Sequence, residues 1–596
     1  METIEIIPLH KKINAAVSIP GSKSYTNRAL ILATIAGKGT KILHPLISDD
    51  TKAMINCLKA LGVKFSINKT LIEVLNSLGA IKGRNVNLDA NLSGTTIRFL
   101  LALSTVLPGI KTLSGEASLN KRPIGELVDA LKQLGAKIEY LEKKGYPPVR
   151  VLSSKLRSGT VKIKGDISSQ FISALLMIAP LVGEVNIEII GNQSSKPFID
   201  MTIVIMEKFG IRVNNLNYRK YLISDGQKYK TQKYTVEGDI SSATYFFAIA
   251  VLTKSKVSVK NINPNSKQAD MAFLKILEKM GSKVVFGKEE IVVFGKGVKA
   301  LNVDMEDCPD QVQTLAVLAA FSDGITKIAG VKSLRVKETN RILAIKNELK
   351  KMGIKAKSSQ NSLTIFGGNP KPATINTYSD HRMAMSFAVA GSLLSGMRIN
   401  NPDVVNKTFP DFWEKLNSIG VKNTKVTEKN IVLIGMRGSG KTTVGKLLAK
   451  KMNKQYLELD DLIAKKLGMK IPAIVEKKGW SYFREKESEV AQEVALHADK
   501  IISTGGGIVI KDVNIKVLKK NSVFIFLNAS AKTLVKRIGE DSNRPFLTKA
   551  KSRQEDIENV LKERMKLYKK AADYLIDTDN LNSYEVADQI IRRIKS

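Results

Sequence analysis

The sequence predicts an α/β fold in two unlike parts: an N-terminal part of six repeated units, then a C-terminal part with a parallel sheet beside a phosphate loop. Three observations carry this. A helix ending in an apolar residue, then a glycine, then a short basic or β-branched stretch recurs six times. Six strongly apolar helical stretches interleave with those copies at a similar period. Beyond Gly420 the period stops, and an apolar strand runs straight into a glycine-rich loop. Length agrees, since 596 residues make about three or four domains at roughly 100 to 200 residues each.

The first series reads INCLKALGVKF, LVDALKQLGAKI, IVIMEKFGIRV, LKILEKMGSKVV, IKNELKKMGIKA and FWEKLNSIGVK. Its glycines are Gly62, Gly135, Gly210, Gly281, Gly353 and Gly420, at intervals of 73, 75, 71, 72 and 67 residues. Glycine suits the left-handed position that closes a helix because it has no Cβ to clash there. Each copy therefore reads helix, cap, strand. The second series begins at Ser24, Gly94, Ser168, Ser241, Asp310 and Asp380. These starts suit a helix cap, and stretches such as SSQFISALLMIAPL are apolar all round, as a buried helix should be.

The polar stretch Val421 to Lys429 shows no periodicity and predicts the connection, with one part at 1–426 and the other at 427–596. Strands NIVLIG, IISTGGG, SVFIFLN and YLIDT then alternate with helices, the pattern of a parallel α/β domain.

Composition narrows the function. Hydrophobic residues at 43% and charged residues at 25% are ordinary globular values. Lys and Arg number 94 against 56 Asp and Glu, a net +38, which invites a polyanionic partner. From Glu428 onward there are 34 basic and 22 acidic residues, so the excess is spread almost evenly over both parts. The lysines are scattered without the aromatics that nucleic-acid grooves interleave, so no nucleic acid is expected, while small anions would be attracted. Apolar runs such as 174–183 fall short of the roughly 18 residues of a membrane span, and the first twenty residues lack the apolar core of a signal peptide. No membrane partner and a cytoplasmic location follow as expectations. Cys57 and Cys308 are too few for a disulfide framework, and the four histidines have no ligand spacing, which fits a reducing compartment.

Gly435 to Thr442 reads GMRGSGKT, a complete G-x-x-x-x-G-K-[ST] between a strand and a helix. Such a loop cradles phosphates on its amides, here those of Gly435, Arg437, Gly438, Ser439 and Gly440. Lys441 then meets the transferring phosphate and the Thr442 hydroxyl a Mg2+ ion. Glu458-Leu459-Asp460, Phe483-Arg484 with Glu487, Gly505-Gly506-Gly507, Arg537 and Asn543-Arg544-Pro545 together make the whole second part resemble shikimate kinase. The resemblance implies ATP as phosphate donor with Mg2+. It implies that Asp460 orients the attacking hydroxyl, while Arg484 and the Gly505–Gly507 turn hold a small polyhydroxy carboxylate. Arg544 neutralises developing phosphate charge, and Arg537 lies against adenine. Glu458, the expected partner of Thr442 at the metal, stands where the family usually has aspartate, and Asp461 is a possible substitute.

In the first part the buried helices open on GSKSYTNR, LSGTTIR, ISSQ, CPDQ and SDHR. Cations such as Lys23, Arg28, Arg98 and Arg382 in or beside first turns oppose the helix dipole unless an anion bridges them. With KRPIG at 121–125, RVKETNR at 335–341 and KTFP at 407–410, the part resembles 5-enolpyruvylshikimate-3-phosphate synthase over its length. That resemblance implies two lobes, one of about residues 1–19 plus 235–426 and the other of about 20–234, crossed near Pro20 and Tyr234. It implies metal-free transfer of enolpyruvyl from phosphoenolpyruvate to shikimate 3-phosphate. Ser24, Arg28, Ser168, Ser169, Ser195 and Lys337 would hold shikimate 3-phosphate, with Gln170 between the substrates. Lys23, Gly94, Arg122, Arg341, Arg382 and Lys407 would hold phosphoenolpyruvate. Asp310 would take the hydroxyl proton, and Glu338 with Lys23 would manage protonation of the methylene carbon. Phe198 stands where the family often has Tyr, Ser333 where it often has Asn, and Leu92-Ser93 where Asn-Ala is common.

Two other readings compete. Enolpyruvyl transfer to a UDP-sugar shares the six-unit architecture but works with a cysteine in a flexible loop, a context neither Cys57 nor Cys308 has. A basic P-loop protein acting on nucleic acid would show clustered charge and exposed aromatics. The economical reading is a monomeric fusion whose kinase part makes what its transferase part consumes.

Overall fold

The computed structural model describes residues 2–80, 83, 85–152, 155–426, 429–539, 547–548 and 550–595. The chain divides into two compact units, Met1–Lys425 and Val426–Ser596.

In the first unit the repeat becomes six four-stranded sheets of one design. In the clearest copy Val86–Asp89 runs parallel to Lys111–Ser114, and Val149–Leu152 and Lys137–Tyr140 follow antiparallel. The six repeat glycines all adopt positive φ, from +77° to +106°. They turn each helix into the strand that follows, which forms a hairpin in five copies and after Gly420 pairs with Thr3–Ile7.

Three sheets close only by joining distant chain. Thr3–Ile7 pairs with both Met397–Asn400 and Lys422–Lys425, Asn14–Ser18 runs beside Lys256–Lys260, and Lys233–Thr235 runs beside Lys41–Leu43. Two apolar cores result, one drawn from Ile4–Ile19 plus Ile240–Val421 and the other from Tyr25–Val236. The chain passes between them at Pro20–Ser22 and again at Glu237–Asp239, just beyond Tyr234. There Gly21 and Gly238 form an antiparallel bridge, Ser22 N donates to Glu237 O at 2.7 Å and Asp239 N to Pro20 O at 2.9 Å.

The apolar helices are Lys23–Ala36, Gly94–Thr105, Ser169–Val182, Ile240–Leu252, Val312–Ala320 and His381–Gly391, all buried nearly throughout. Two starts differ from the sequence reading. Ser241 is the second residue of its helix because Asp239 caps it, its carboxylate accepting Ser242 N at 3.1 Å and Ser242 Oγ at 2.7 Å. Asp310 lies in a tight turn, Pro309–Gln311, ahead of its helix, where the fixed φ of proline suits a first turn.

The second unit holds five parallel strands in the order Gln455–Glu458, Lys500–Ser503, Asn430–Ile434, Ser522–Asn528 and Tyr574–Asp577. Apolar clusters cover both faces, as a parallel sheet requires. The strand order reverses at the central Asn430–Ile434, which opens a crevice beyond its carboxyl end, the usual ligand site of such sheets. Among the described residues no helix is long and apolar enough to cross a membrane.

Candidate active sites

The starts of all six apolar helices in the first unit contribute to one cavity between the two cores, through Lys23 and Ser24, Thr95, Ser168–Gln170, Ser241, Asp310 and Arg382. The capping hydroxyls and carboxylates hold some first-turn amides: Ser93 accepts from Thr96 N, Ser168 from Gln170 N and Asp380 from Arg382 N. Arg28, Arg122 and Lys337 add positive charge to the wall. Ser195 caps its helix in the left-handed region at φ +52°, a strained conformation for a non-glycine residue and one that clusters at functional sites.

Beside the cavity one buried guanidinium organises the acids. Arg341 Nη1 donates to Asp310 Oδ1 at 3.0 Å, Nη2 to Glu338 Oε2 at 2.8 Å and Nε to Asp380 Oδ2 at 2.7 Å. Arg382 Nη2 reaches Asp310 Oδ2 at 2.9 Å, and Lys407 Nζ reaches Glu338 Oε1 and the Leu92 carbonyl, each at 3.3 Å. Burial raises the Asp310 carboxyl, but Arg382, Lys337 and Arg341 outweigh it and hold the group well below the usual carboxylate range. Burial likewise opposes ionisation of Glu338, and Arg341, Lys407 and Arg122 overcome it. Burial lowers Lys337, and it lowers His381 strongly with help from Arg382 and Lys23. The His381 imidazole is therefore neutral, and among the described residues neither of its nitrogens has a hydrogen-bond partner.

In the second unit, residues 436–442 wall a cavity of about 1180 Å³. A Cβ on Gly435 would stand 2.6 Å from the Leu527 carbonyl, and one on Gly438 2.7 Å from Ile538, so only glycine leaves the loop its path. Lys441 Nζ donates to the carbonyls of Gly435 at 2.9 Å and Met436 at 3.0 Å. Thr442 Oγ1 donates to Glu458 Oε2 at 2.9 Å, and the Tyr456 hydroxyl donates to the same oxygen. On the opposite wall Asp460 Oδ1 is buried without a hydrogen-bond partner among the described residues, and a Cβ on Gly505 would lie 2.7 Å from it. Burial, then Glu458 and Glu487, push the Asp460 carboxyl up to about 6. Arg484 Nη1 donates to both Glu487 oxygens at 2.8 and 2.7 Å, and its guanidinium lies where a side chain on Gly507 would be.

The glycine cradle, the lysine and the hard oxygen donors of Thr442 and Glu458 fit a nucleotide with a divalent ion. An apolar wall of Ile471, Pro472, Val475, Trp480 and Phe483 faces the same cavity. The second site is thus a phosphate cradle with the Asp460 carboxylate, Arg484 and an apolar shelf in the same cavity.

The family model described as EPSP synthase (3-phosphoshikimate 1-carboxyvinyltransferase) matches residues 8–416. The chain belongs to the EPSP synthase family. The shikimate kinase model matches residues 437–595, so an EPSP synthase part is followed by a shikimate kinase part in a bifunctional enzyme of the shikimate pathway of aromatic biosynthesis. A 3-phosphoshikimate 1-carboxyvinyltransferase of Sulfurovum sp. (strain NBC37-1) is 42% identical over 425 residues, 70% of this chain and 99% of that one. Its counterpart from Shewanella halifaxensis is 40% identical over 425 residues, 70% of this chain and all of the relative. An EPSP synthase structure from Acinetobacter baumannii superposes with a TM-score of 0.62 at 25% identity, over 72% of this chain and the whole of that one.

In the EPSP synthase part the cavity brings together Lys23, Ser24, Arg28, Arg122, Ser168, Ser169, Gln170, Ser195, Asp310, Lys337 and Arg382. Glu338, Arg341 and Lys407 form the acid-base cluster beside it, and a Cβ on Gly94 would stand 2.6 Å from Arg122 Nη1. The first-turn cations find protein partners in this state: Lys23 pairs with Asp50 at 3.2 Å, Arg382 with Asp310, and Arg98 donates to Gln170 Oε1 at 2.6 Å. Arg28 spends its donors on Thr202 Oγ1, Ser24 O and Phe198 O.

In the shikimate kinase part Lys441, Thr442, Glu458, Asp460, Arg484, Gly505–Gly507 and Arg537 share one cavity. Arg537 is tied to Thr578 Oγ1 at 2.9 Å and Thr578 O at 2.6 Å. Asp461 is exposed and does not line the cavity, whereas Glu458 reaches Thr442. Arg544 lies outside the described residues.

Sequence reasoning passed over Arg564. It is buried at the cavity wall, donates from Nη1 to Gly506 O at 3.3 Å and leaves Nε without a partner among the described residues. Its helix, Arg553–Ala571, reads as an ordinary charged amphipathic stretch, and only the fold brings it to Gly506. Asp380, the anchor of Arg341, was visible only as a cap.

Proposed function

We propose that the second unit phosphorylates shikimate with ATP and Mg2+, and that the first then joins phosphoenolpyruvate to the shikimate 3-phosphate so made. What carries this reading is that each cavity pairs an anion cradle with a carboxylate suited to take a hydroxyl proton. In the kinase that group is Asp460, which lines the cavity beside Gly505. It accepts a hydrogen bond from the acceptor hydroxyl and takes its proton as the oxygen attacks the γ-phosphorus, whose bond to the bridging oxygen breaks so that ADP leaves. Arg484 pairs with the shikimate carboxylate, Arg564 supplies a second cation, and Arg537 lies against the adenine. Thr442 and Glu458 would hold Mg2+, which screens the β- and γ-phosphates when bound. Lys441 exchanges its loop carbonyls for phosphate oxygens.

In the transferase, Ser24, Arg28, Ser168, Ser169, Ser195 and Lys337 receive shikimate 3-phosphate. Lys23, Arg122, Arg341, Arg382 and Lys407 receive phosphoenolpyruvate at the turn around Gly94, and Gln170 lies between the two. The anions draw Arg382, Arg341 and Lys407 away from Asp310 and Glu338, which raises both carboxyls toward values at which they exchange protons. The hydroxyl loses its proton to Asp310, its oxygen bonds to C2 of phosphoenolpyruvate, and the methylene carbon gains a proton from Glu338 with Lys23. Loss of phosphate and of a methyl proton then restores the enol ether. Small anionic substrates, ATP and two free buried cysteines favour a cytoplasmic setting.

The test supplies the full chain with shikimate, ATP, Mg2+ and phosphoenolpyruvate. ADP, phosphate and the enolpyruvyl product should appear in equal amounts, and omitting phosphoenolpyruvate should leave shikimate 3-phosphate to accumulate. With phosphoenolpyruvate omitted, release of phosphate from ATP without shikimate 3-phosphate overturns the reading, as does a lack of ADP with shikimate present.

A further inference from the structure

Tyr456 and Glu458 are two apart on the strand Gln455–Glu458, and residues at that spacing share a face of a strand. Glu458 stands where the resembling kinases usually have the shorter aspartate, so its carboxylate has one more rotatable bond to fix. Two hydroxyls converge on Glu458 Oε2: Thr442 Oγ1 at 2.9 Å and Tyr456 OH. A hydroxyl oxygen that ligates a cation must turn its proton elsewhere, and Glu458 is the acceptor for the proton of Thr442.

The ring of Tyr456 has a prepared seat. A Cβ on Gly445, inside the helix Lys441–Met452, would stand 2.6 Å from Tyr456 Cε2. Glycine is unfavourable inside a helix, yet here it lets the ring pack. Phenylalanine would fill that seat equally well, so packing alone leaves the hydroxyl without a purpose.

We propose that Tyr456 is a positioning residue of the kinase's divalent-cation site, its hydroxyl pinning the Glu458 carboxylate where it orients Thr442 toward the ion. This rests on the reading that Thr442 and Glu458 serve that ion. Removal of such an outer partner commonly weakens metal affinity by about tenfold or more.

The test uses the full chain with Mn2+ as the probe, and free Mn2+ is followed by electron paramagnetic resonance with and without ADP. Tyr456→Phe should weaken the ADP-dependent Mn2+ binding about tenfold, while ADP affinity in EDTA stays unchanged. In a Glu458→Asp background the same change should add nothing, because the shorter carboxylate falls away from the hydroxyl. If Tyr456→Phe binds Mn2+ like the parent while Glu458→Gln loses it, the pinning is wrong and the cation reading survives. If both bind like the parent, the cation reading falls as well. Lost ADP affinity in EDTA, or an additive effect in the double variant, marks a merely structural tyrosine and also overturns the inference.

Discussion

Asp460 sets the first expectation at the level of single residues. Its carboxyl rises to about 6 chiefly through burial, and a base must be deprotonated to work, so the kinase rate should fall as pH drops below about 6. Asp460→Asn should lower kinase kcat by about 10² or more, the usual worth of a positioned base, and its residual rate should lose that acidic limb. A pH profile from 5 to 8 on both proteins decides it; an unchanged limb in the variant assigns the limb to another group. Phe198 sets the second. It lines the transferase cavity where a hydroxyl is commonly found, and a hydrogen bond is worth roughly 0.5 to 1.5 kcal/mol. Phe198→Tyr should therefore lower KM for shikimate 3-phosphate by about two- to tenfold with kcat little changed, and a raised KM would mean the site has closed over the missing group.

Among elements, the six helix-cap-strand units rest on backbone geometry that side-chain chemistry can test cheaply. Gly353 has φ +77° and nothing within 4 Å of where a Cβ would stand, so an added methyl meets no neighbour. What remains is left-handed strain of roughly 1 to 2 kcal/mol for an L-residue. Gly353→Ala should cost about that much in urea unfolding of the first unit, Gly353→Asn less because asparagine tolerates this region, and neither should alter turnover. A loss beyond about 3 kcal/mol would point to a packing role the geometry does not show. The same periodicity that placed these caps placed the apolar helices, but their first residues were legible only to within a residue or two. The choice between Asp239 and Ser241 as cap depends on which side chain reaches a free amide in three dimensions.

For the whole molecule, the stretch 421–429 expected as a polar connection is not all linker: Val421 is buried in the first core and Lys422–Lys425 is a strand paired with Thr3–Ile7, so the first unit ends at Lys425 with its sheet complete and needs nothing from beyond it. Residues 1–426 alone should convert shikimate 3-phosphate with phosphoenolpyruvate, and residues 427–596 alone should phosphorylate shikimate, each within a few-fold of the full chain. In the full chain Lys441→Ala should abolish the kinase and spare the transferase. A fragment that is folded by circular dichroism yet inert until the other is added would show that the halves complete one another.

By itself the sequence determined the two-part plan, the six units, the phosphate loop and most of the charged residues that line the two cavities, because period and motif spacing are local properties of the chain. It could not show that Arg341 joins Asp310, Glu338 and Asp380, residues up to 39 positions away, or that this network keeps both acids ionised. Nor could it show that Arg564 comes to Gly506, 58 positions off, or that Gly445 makes room for Tyr456. Those are decided by tertiary structure, since the protonation and reach of a side chain depend on burial and on which charges stand within a few ångströms, and burial and distance exist only once the chain has folded.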